Sequence, residues 1–123
     1  MLQATARQQA ETQEAPLVAR ITDDPVEIRQ ALELRYRVFA EGMGASLPTA
    51  GEGIDKDHFD DTCLHLIVKD VINDAVVGYS RILTNELAQK TGGFYSATEF
   101  DLSHIVQPGK RYMEIGRTCV DPD

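Results

Sequence analysis

Two β-rich runs, Leu64-His65-Leu66-Ile67-Val68 and Val76-Val77-Gly78-Tyr79-Ser80-Arg81-Ile82-Leu83, stand a few residues apart with Asn73-Asp74 between them. Asn and Asp supply turn chemistry, so the pair predicts an antiparallel hairpin. Such a sheet must bury one face, and the chain offers one long helical run to cover it. That run begins with strong start signals. Asp24 can cap, Pro25 suits the first helical position, and Glu27 stands three residues after Asp24, as in a capping box. Ile28, Ala31, Leu32, Phe39 and Met43 then recur on one stripe at helical spacing, and Gly42 and Gly44 end it.

Leu17 to Ile21 reads as a short strand before this helix, and Tyr112 to Val120 as a last strand. Residues 45–61 read as a long loop with Pro48, Gly51 and Gly53, and residues 85–110 as irregular, broken by Gly92-Gly93 and Pro108-Gly109. The fold class expected is α/β (α+β): a mixed, mainly antiparallel sheet with one long helix. The Gln- and Glu-rich segment 1–15 lacks any period that would bury a face and is expected to be a disordered tail, with one domain over 16–123.

Charge narrows the function classes. Twelve Lys and Arg against twenty Asp and Glu give a net charge of -8. That disfavours a nucleic-acid binder, because phosphate neutralisation supplies most non-specific affinity. No apolar run approaches the roughly 18 to 20 residues that span a bilayer, and the N-terminal segment has no secretory apolar core. Cys63 and Cys119 match no zinc spacing and no disulfide framework, so a cytoplasmic setting is expected.

Within the predicted elements, certain charges fall on apolar faces. At about 100° per residue Arg35 lies among Ile28, Leu32 and Phe39, whereas Arg29 and Arg37 point away. An Arg there either finds a carboxylate or phosphate partner or snorkels at the rim. Arg81 alternates with Val77, Tyr79 and Leu83 and shares their face. Asp55, Asp57, Asp60 and Asp61 surround Phe59. They can pair with Arg35, hold a cationic substrate, or form a solvated acidic loop; they lack the spacing of a calcium loop. Regular pleating sets Glu114 with Tyr112, and Met113, Ile115, Arg117 and Cys119 on the opposite face; a bulge at Gly116 would change that. A Glu in a strand interior can serve as general base or as a structural partner for an arginine. His58, His65 and His104 have no mutual metal-site spacing, and no metal is expected. Cys119 is read as an inert thiol.

Five stretches carry a resemblance: Leu34-Arg35-Tyr36-Arg37-Val38-Phe39, Asp57-His58-Phe59-Asp60, Val76 to Leu83, Gly93-Phe94-Tyr95-Ser96-Ala97-Thr98-Glu99-Phe100-Asp101-Leu102, and Glu114-Ile115-Gly116-Arg117-Thr118-Cys119-Val120. In this order and spacing they resemble the hemolysin-like branch of the GNAT acyltransferases, and within it the ornithine N-acyltransferases of bacterial ornithine-lipid synthesis. The acyl-homoserine-lactone synthases are similar through a sparser pattern: Arg35 four residues before Phe39, Asp57 and Asp60, Arg81 after a Val-Gly strand, and Glu114 with Arg117. Those synthases usually carry a Trp after the Arg-Phe helix, and this chain has none.

The resemblance implies Glu114 as catalytic base, acting through water, with Arg35, Phe39, Asp57, Asp60, Arg81 and Arg117 on the amine-substrate side. The implied reaction moves a 3-hydroxyacyl group from acyl carrier protein, or acyl-CoA, to the α-amino group of ornithine. An autoinducer or other N-acyl amino acid synthase is the alternative, and a non-catalytic truncated chain a third. No covalently bound cofactor is implied. The partners are acyl carrier protein, as a phosphopantetheine thioester, and an ornithine-like amine, with peripheral contact at the inner membrane through the lipid product. The resemblance also implies that the chain corresponds to the N-terminal half of a GNAT domain, ending before the pyrophosphate-binding loop, and is inactive alone.

Overall fold

A computed structural model describes residues 16–44 and 50–122. The tail expected over 1–15 lies outside the described residues, as does segment 45–49 of the long loop. Strand β1 spans Leu17–Thr22, helix α1 Pro25–Tyr36, β2 Leu64–Asp70, β3 Ala75–Thr84, helix α2 Asn85–Thr91 and β4 Met113–Val120. The four strands form one antiparallel sheet in the order β1-β2-β3-β4. Asp74, at φ 53, closes the β2–β3 turn in the left-handed conformation that Asp tolerates. The hairpin and the helix-covered sheet are therefore as expected.

Helix α1 starts where its signals place it, with the Asp24 side chain accepting from the Val26 N–H at 2.8 Å. The capping box does not form. Glu27 is instead 4% exposed, and its carboxylate takes Arg20 from β1, Thr22, and Lys69 from β2. The Arg20 hydrogen bond, followed by those of Thr22 and Lys69, draws its pKa down to about 2. An ion-pair tether between the helix start and two strands has replaced the Glu27 half of the capping box.

Beyond Tyr36 the helix widens into a π-helical turn, Arg37–Gly42. Each π-type i→i+5 closure adds a residue to the turn and rotates the side chains beyond it. Val38 and Phe39 still pack on the core formed by Ala31, Leu34, Ile67, Val76, Tyr79 and Cys119, but Met43, expected on the apolar stripe, is 72% exposed.

Two bulges set which side chains face α1. In β3 the pairing steps from Val68↔Gly78 to Lys69↔Val76, which leaves Val77 as the extra residue. Val76 is thus the buried one, and Val77 does not share the face of Tyr79 as simple alternation requires. Gly78 sits where a Cβ would lie 3.1 Å from that of Val68, so a side chain there would crowd the neighbouring strand. In β4 the pairing steps from Tyr79↔Cys119 to Arg81↔Gly116. One extra residue is accommodated, and Arg117 takes φ 50. The bulge overturns the regular-pleat expectation. Glu114, Arg117 and Cys119 turn inward, while Met113, Ile115 and Val120 are exposed.

The stretch 85–110 is less irregular than expected. Thr84 caps α2 by accepting from the Leu87 N–H, and Gly92 ends it at φ 87. A 3₁₀ turn comes next at Tyr95–Thr98. A second cluster of Phe59, Leu83 and Ala88, flanked by Cys63, Leu87, Phe94 and Tyr95, joins α2 and this turn to β3. Among the described residues no helix is long and apolar enough to cross a membrane.

Candidate functional site

The Phe59 loop returns to α1 through the Asp55 N–H, which donates to the Leu32 carbonyl at 3.1 Å. It then turns in a 3₁₀ helix, His58–Asp61, that carries its own capping box. The Asp57 side chain accepts from the Phe59 N–H, and the Asp60 side chain accepts from the Asp57 N–H. This local geometry aims Asp57 and Asp60 toward β3 and α1, where the arginines stand.

Arg35 is completely buried. Its Nε donates to Asp55 Oδ2 at 3.1 Å and its Nη1 to Asp60 Oδ1 at 2.6 Å, and its guanidinium lies 5.5 Å from the Tyr79 ring centroid. Rim snorkelling is thereby excluded. Arg81 donates through Nη1 to Asp57 at 2.7 Å and to Asp60 at 3.3 Å. Arg117 pairs with Asp55 at 3.4 Å. Three guanidiniums and three carboxylates thus form one network without net charge, the condition under which buried charges are tolerated. Burial lowers the pKa of Arg35, but the Asp60 hydrogen bond and the Asp60 and Asp55 charges outweigh it and leave it raised. Burial alone raises Asp60, yet Arg35 turns the balance and holds it below the ordinary carboxylate value. The solvated-loop reading holds only for Asp61, exposed and paired with Lys56.

Tyr95 lies against both outer arginines. Its ring centroid is 5.3 Å from the Arg81 guanidinium and 5.6 Å from that of Arg117, and it meets Phe59 edge-on at 5.5 Å. Arg117 also lies 5.5 Å from the Phe39 ring. Phe39 therefore supports a cation rather than lining an open pocket.

Glu114 is held by the start of the Tyr95 turn. Its carboxylate accepts from the Tyr95 N–H at 2.8 Å, the Ser96 N–H at 2.9 Å and the Ser96 hydroxyl. Carboxylate acceptors of this kind are strong and directional, so the orientation of Glu114 is fixed by the start of the 3₁₀ turn. Glu114, Ser96, Arg81 and Arg117 line a cleft of about 110 Å³. Of the sequence-derived site residues, Arg81, Arg117 and Glu114 reach this cleft; Arg35, Asp57, Asp60 and Phe39 stand behind it. Periodicity and spacing do not single out Tyr95 and Ser96 for chemistry. Their contribution is largely two backbone N–H groups, which have no residue-type signature; a Ser after an aromatic at a turn is the available hint.

Asp60, Cys63 and His65 offer ligand atoms within 4.8 Å of one another. Their donors are already committed: Asp60 to the arginines, and the His65 nitrogens to the Tyr79 hydroxyl at 2.7 Å and the Asp60 carbonyl at 3.0 Å. Burial lowers the His65 pKa and pushes the Cys63 and Cys119 thiols up to about 11, which suits inert side chains rather than nucleophiles.

Residues 34–123 match the acetyltransferase (GNAT) domain family. The chain is 42% identical over 118 residues to an L-ornithine N(alpha)-acyltransferase of Rhizobium meliloti (strain 1021), covering 89% of this chain and 40% of that protein. It is 43% identical over 116 residues to one of Agrobacterium fabrum, with 87% and 40% covered. It spans about two fifths of the length of these curated relatives. Among solved structures, the AHL synthase LasI superposes with a TM-score of 0.60 at 16% identity, over 89% of this chain and 55% of that one. TofI gives 0.50 at 22%, over 85% and 56%. Both likenesses concern the fold.

Proposed function

The chain belongs to the GNAT acetyltransferase domain family, and from that premise we propose that it supplies the amine-side part of an ornithine N-acyltransferase. The donor is a 3-hydroxyacyl thioester, carried by acyl carrier protein or coenzyme A, and the acceptor is the α-amino group of ornithine. The α-amine nitrogen attacks the thioester carbonyl, the N–C bond forms, and the C–S bond breaks with release of the thiol. Ornithine enters as an α-ammonium, and the proton it must shed goes to Glu114 directly or through water. The reference pKa of an α-amine, near 8, keeps that transfer inexpensive.

One observation carries the reading: Glu114 is held in a fixed orientation at a cleft that Arg81 and Arg117 also line. The two guanidiniums offer a partner for the α-carboxylate of an amino acid. Asp57, with a side chain 26% exposed, is the aspartate of the arginine network closest to solvent and the one assigned to a cationic side chain. Arg35, Asp60 and Phe39 then act as positioning residues, holding the aspartates and Arg117 in place. The 36–43% identity to proteins named L-ornithine N(alpha)-acyltransferase supports ornithine as the acceptor.

The test is a chimera in which this chain replaces the matching 118 residues of the Rhizobium meliloti relative, with the 123-residue chain alone assayed beside it. N-acylornithine detected by mass spectrometry from the chimera is the expected result. A folded chimera that forms none, or that releases an acyl-homoserine lactone instead, overturns the ornithine reading. Product from the 123 residues alone overturns the expectation that the remaining length is required.

A further inference from the structure

The donors that hold Glu114 are shared unequally between its two oxygens. Oε1 accepts from the Tyr95 N–H, at 2.8 Å. Oε2 accepts from the Ser96 N–H at 2.9 Å and also from the Ser96 hydroxyl. A carboxylate oxygen has two lone-pair directions, so Oε2 is filled and Oε1 keeps one open. The same bond commits Ser96. Its hydroxyl carries a single proton, which goes to Glu114, so toward the cleft its oxygen can only accept.

Both atoms stand at a cleft whose other polar side chains offer the opposite character. Arg81 and Arg117 can only donate. Tyr95 also lines the cleft, but it directs its hydroxyl to Glu99 at 3.2 Å in an exposed pair. Glu114 Oε1 and Ser96 Oγ are therefore the side-chain atoms placed to receive N–H groups from a ligand there. They lie on one residue pair joined by a hydrogen bond, so a single nitrogen can meet both.

We propose that Ser96 is a recognition group for the acceptor amine. The α-ammonium donates one N–H to Ser96 Oγ and another to Glu114 Oε1, and Oε1 is the oxygen that takes the proton. The assignment rests on the N-acyltransferase reading and deepens it. In the transfer the N–H bond facing Oε1 breaks, an O–H bond forms at Oε1, and the electron pair stays on nitrogen for attack on the thioester carbonyl. Ser96 keeps its own proton throughout and holds the nitrogen while this happens. An α-hydroxyl in place of the amine brings one donor and no charge, so it cannot satisfy both atoms.

The test uses the purified chain, labelled with nitrogen-15 and followed at the Tyr95 and Ser96 amide signals. L-ornithine and 5-amino-2-hydroxypentanoate, its α-hydroxy counterpart, are the probes. Ornithine is expected to shift both signals, and the hydroxy acid to bind at least about tenfold more weakly, the usual worth of a hydrogen bond to a charged group. Ser96→Ala weakens ornithine by about tenfold, and Ser96→Thr, which keeps the hydroxyl, restores it to within about threefold. Silent Tyr95 and Ser96 signals, equal affinity for the two probes, or folded Ser96→Ala binding ornithine like the unmodified chain overturns the assignment. The comparison of the two probes needs no variant.

Kinetics in the chimera place Ser96 on one substrate or the other. Ser96→Ala is expected to raise KM for ornithine and leave KM for the thioester unchanged; a rise for the thioester alone overturns the assignment. Product formed without any dependence on Ser96 removes this contact and leaves the reaction. Ornithine bound through Ser96 without product does the reverse.

Discussion

Two charged regions meet at the cleft beside Tyr95, and they are built in opposite ways. In one, Arg35, Asp55 and Asp60 are each less than 6% exposed and are paired with one another and with Arg81 and Arg117. In the other, Glu114 is partly exposed and is held by neutral donors, two backbone N–H groups and a hydroxyl, with space beside it. The buried members of the first region, their charges cancelled by neighbours, have little left to offer a ligand, but they fix geometry. A lone carboxylate oriented by neutral donors keeps its charge available to whatever enters. The first region is a brace and the second, on the reading proposed above, a reaction surface, although both consist of charged residues within regular elements.

The largest expected effect comes from breaking the brace. Arg35→Ala takes from Asp55 and Asp60 the buried guanidinium they share and costs about 3–5 kcal/mol, a large part of what a domain of this size has. Urea denaturation of the purified chain checks it. Arg35→Ala unfolding at the midpoint of the unmodified chain would erase the distinction between the regions.

Next in size is Glu114→Gln. In the chimera it is expected to lower kcat for N-acylornithine formation by about 10²–10⁴, the usual contribution of a positioned base. Its stability cost is about 1–2 kcal/mol, because the amide still accepts from Tyr95 or Ser96. A stability loss as large as that of Arg35→Ala, with kcat unchanged, would make Glu114 a second brace.

Acid sharpens the comparison further. His65 has its pKa lowered by burial. The unfolded chain therefore takes up a proton below about 6.5, before the folded one does, and stability falls as pH drops from there toward the folded value. Asp60, lowered on balance by Arg35, contributes stability that is present above about 4 and lost as pH falls through its folded pKa. Urea midpoints against pH should show two stages, and His65→Gln should remove the upper one alone. The smallest effect belongs to Asp61→Asn, which loses only an exposed pair with Lys56. Its midpoint is expected to move by less than about 0.5 kcal/mol.

The brace was legible in the sequence because helical phase and strand alternation are periodic. Arg35 on its stripe and Arg81 in its row come from counting, and their aspartates from the need of a buried cation for a partner. The reaction surface was not legible in the same way. Its orientation depends on the extra residue in β4 and on the backbone donors at Tyr95 and Ser96. An added residue in a strand leaves no periodic trace, and an N–H group is common to every residue but proline. Glu27 misled for a related reason: spacing suggested a local cap, whereas Arg20 and Lys69 from two strands compete for the same carboxylate.

Arg117, in the left-handed backbone region at φ 50, makes strand length itself a chemical variable. Removing Thr118 would restore unbroken alternation. Cys119 would then keep the side of the sheet that Glu114 faces, and the Arg117 guanidinium would swing out to water. The count of residues along this strand thus decides whether acid and cation share one side of the sheet, and an alteration that leaves every charged side chain present can still dismantle their meeting place.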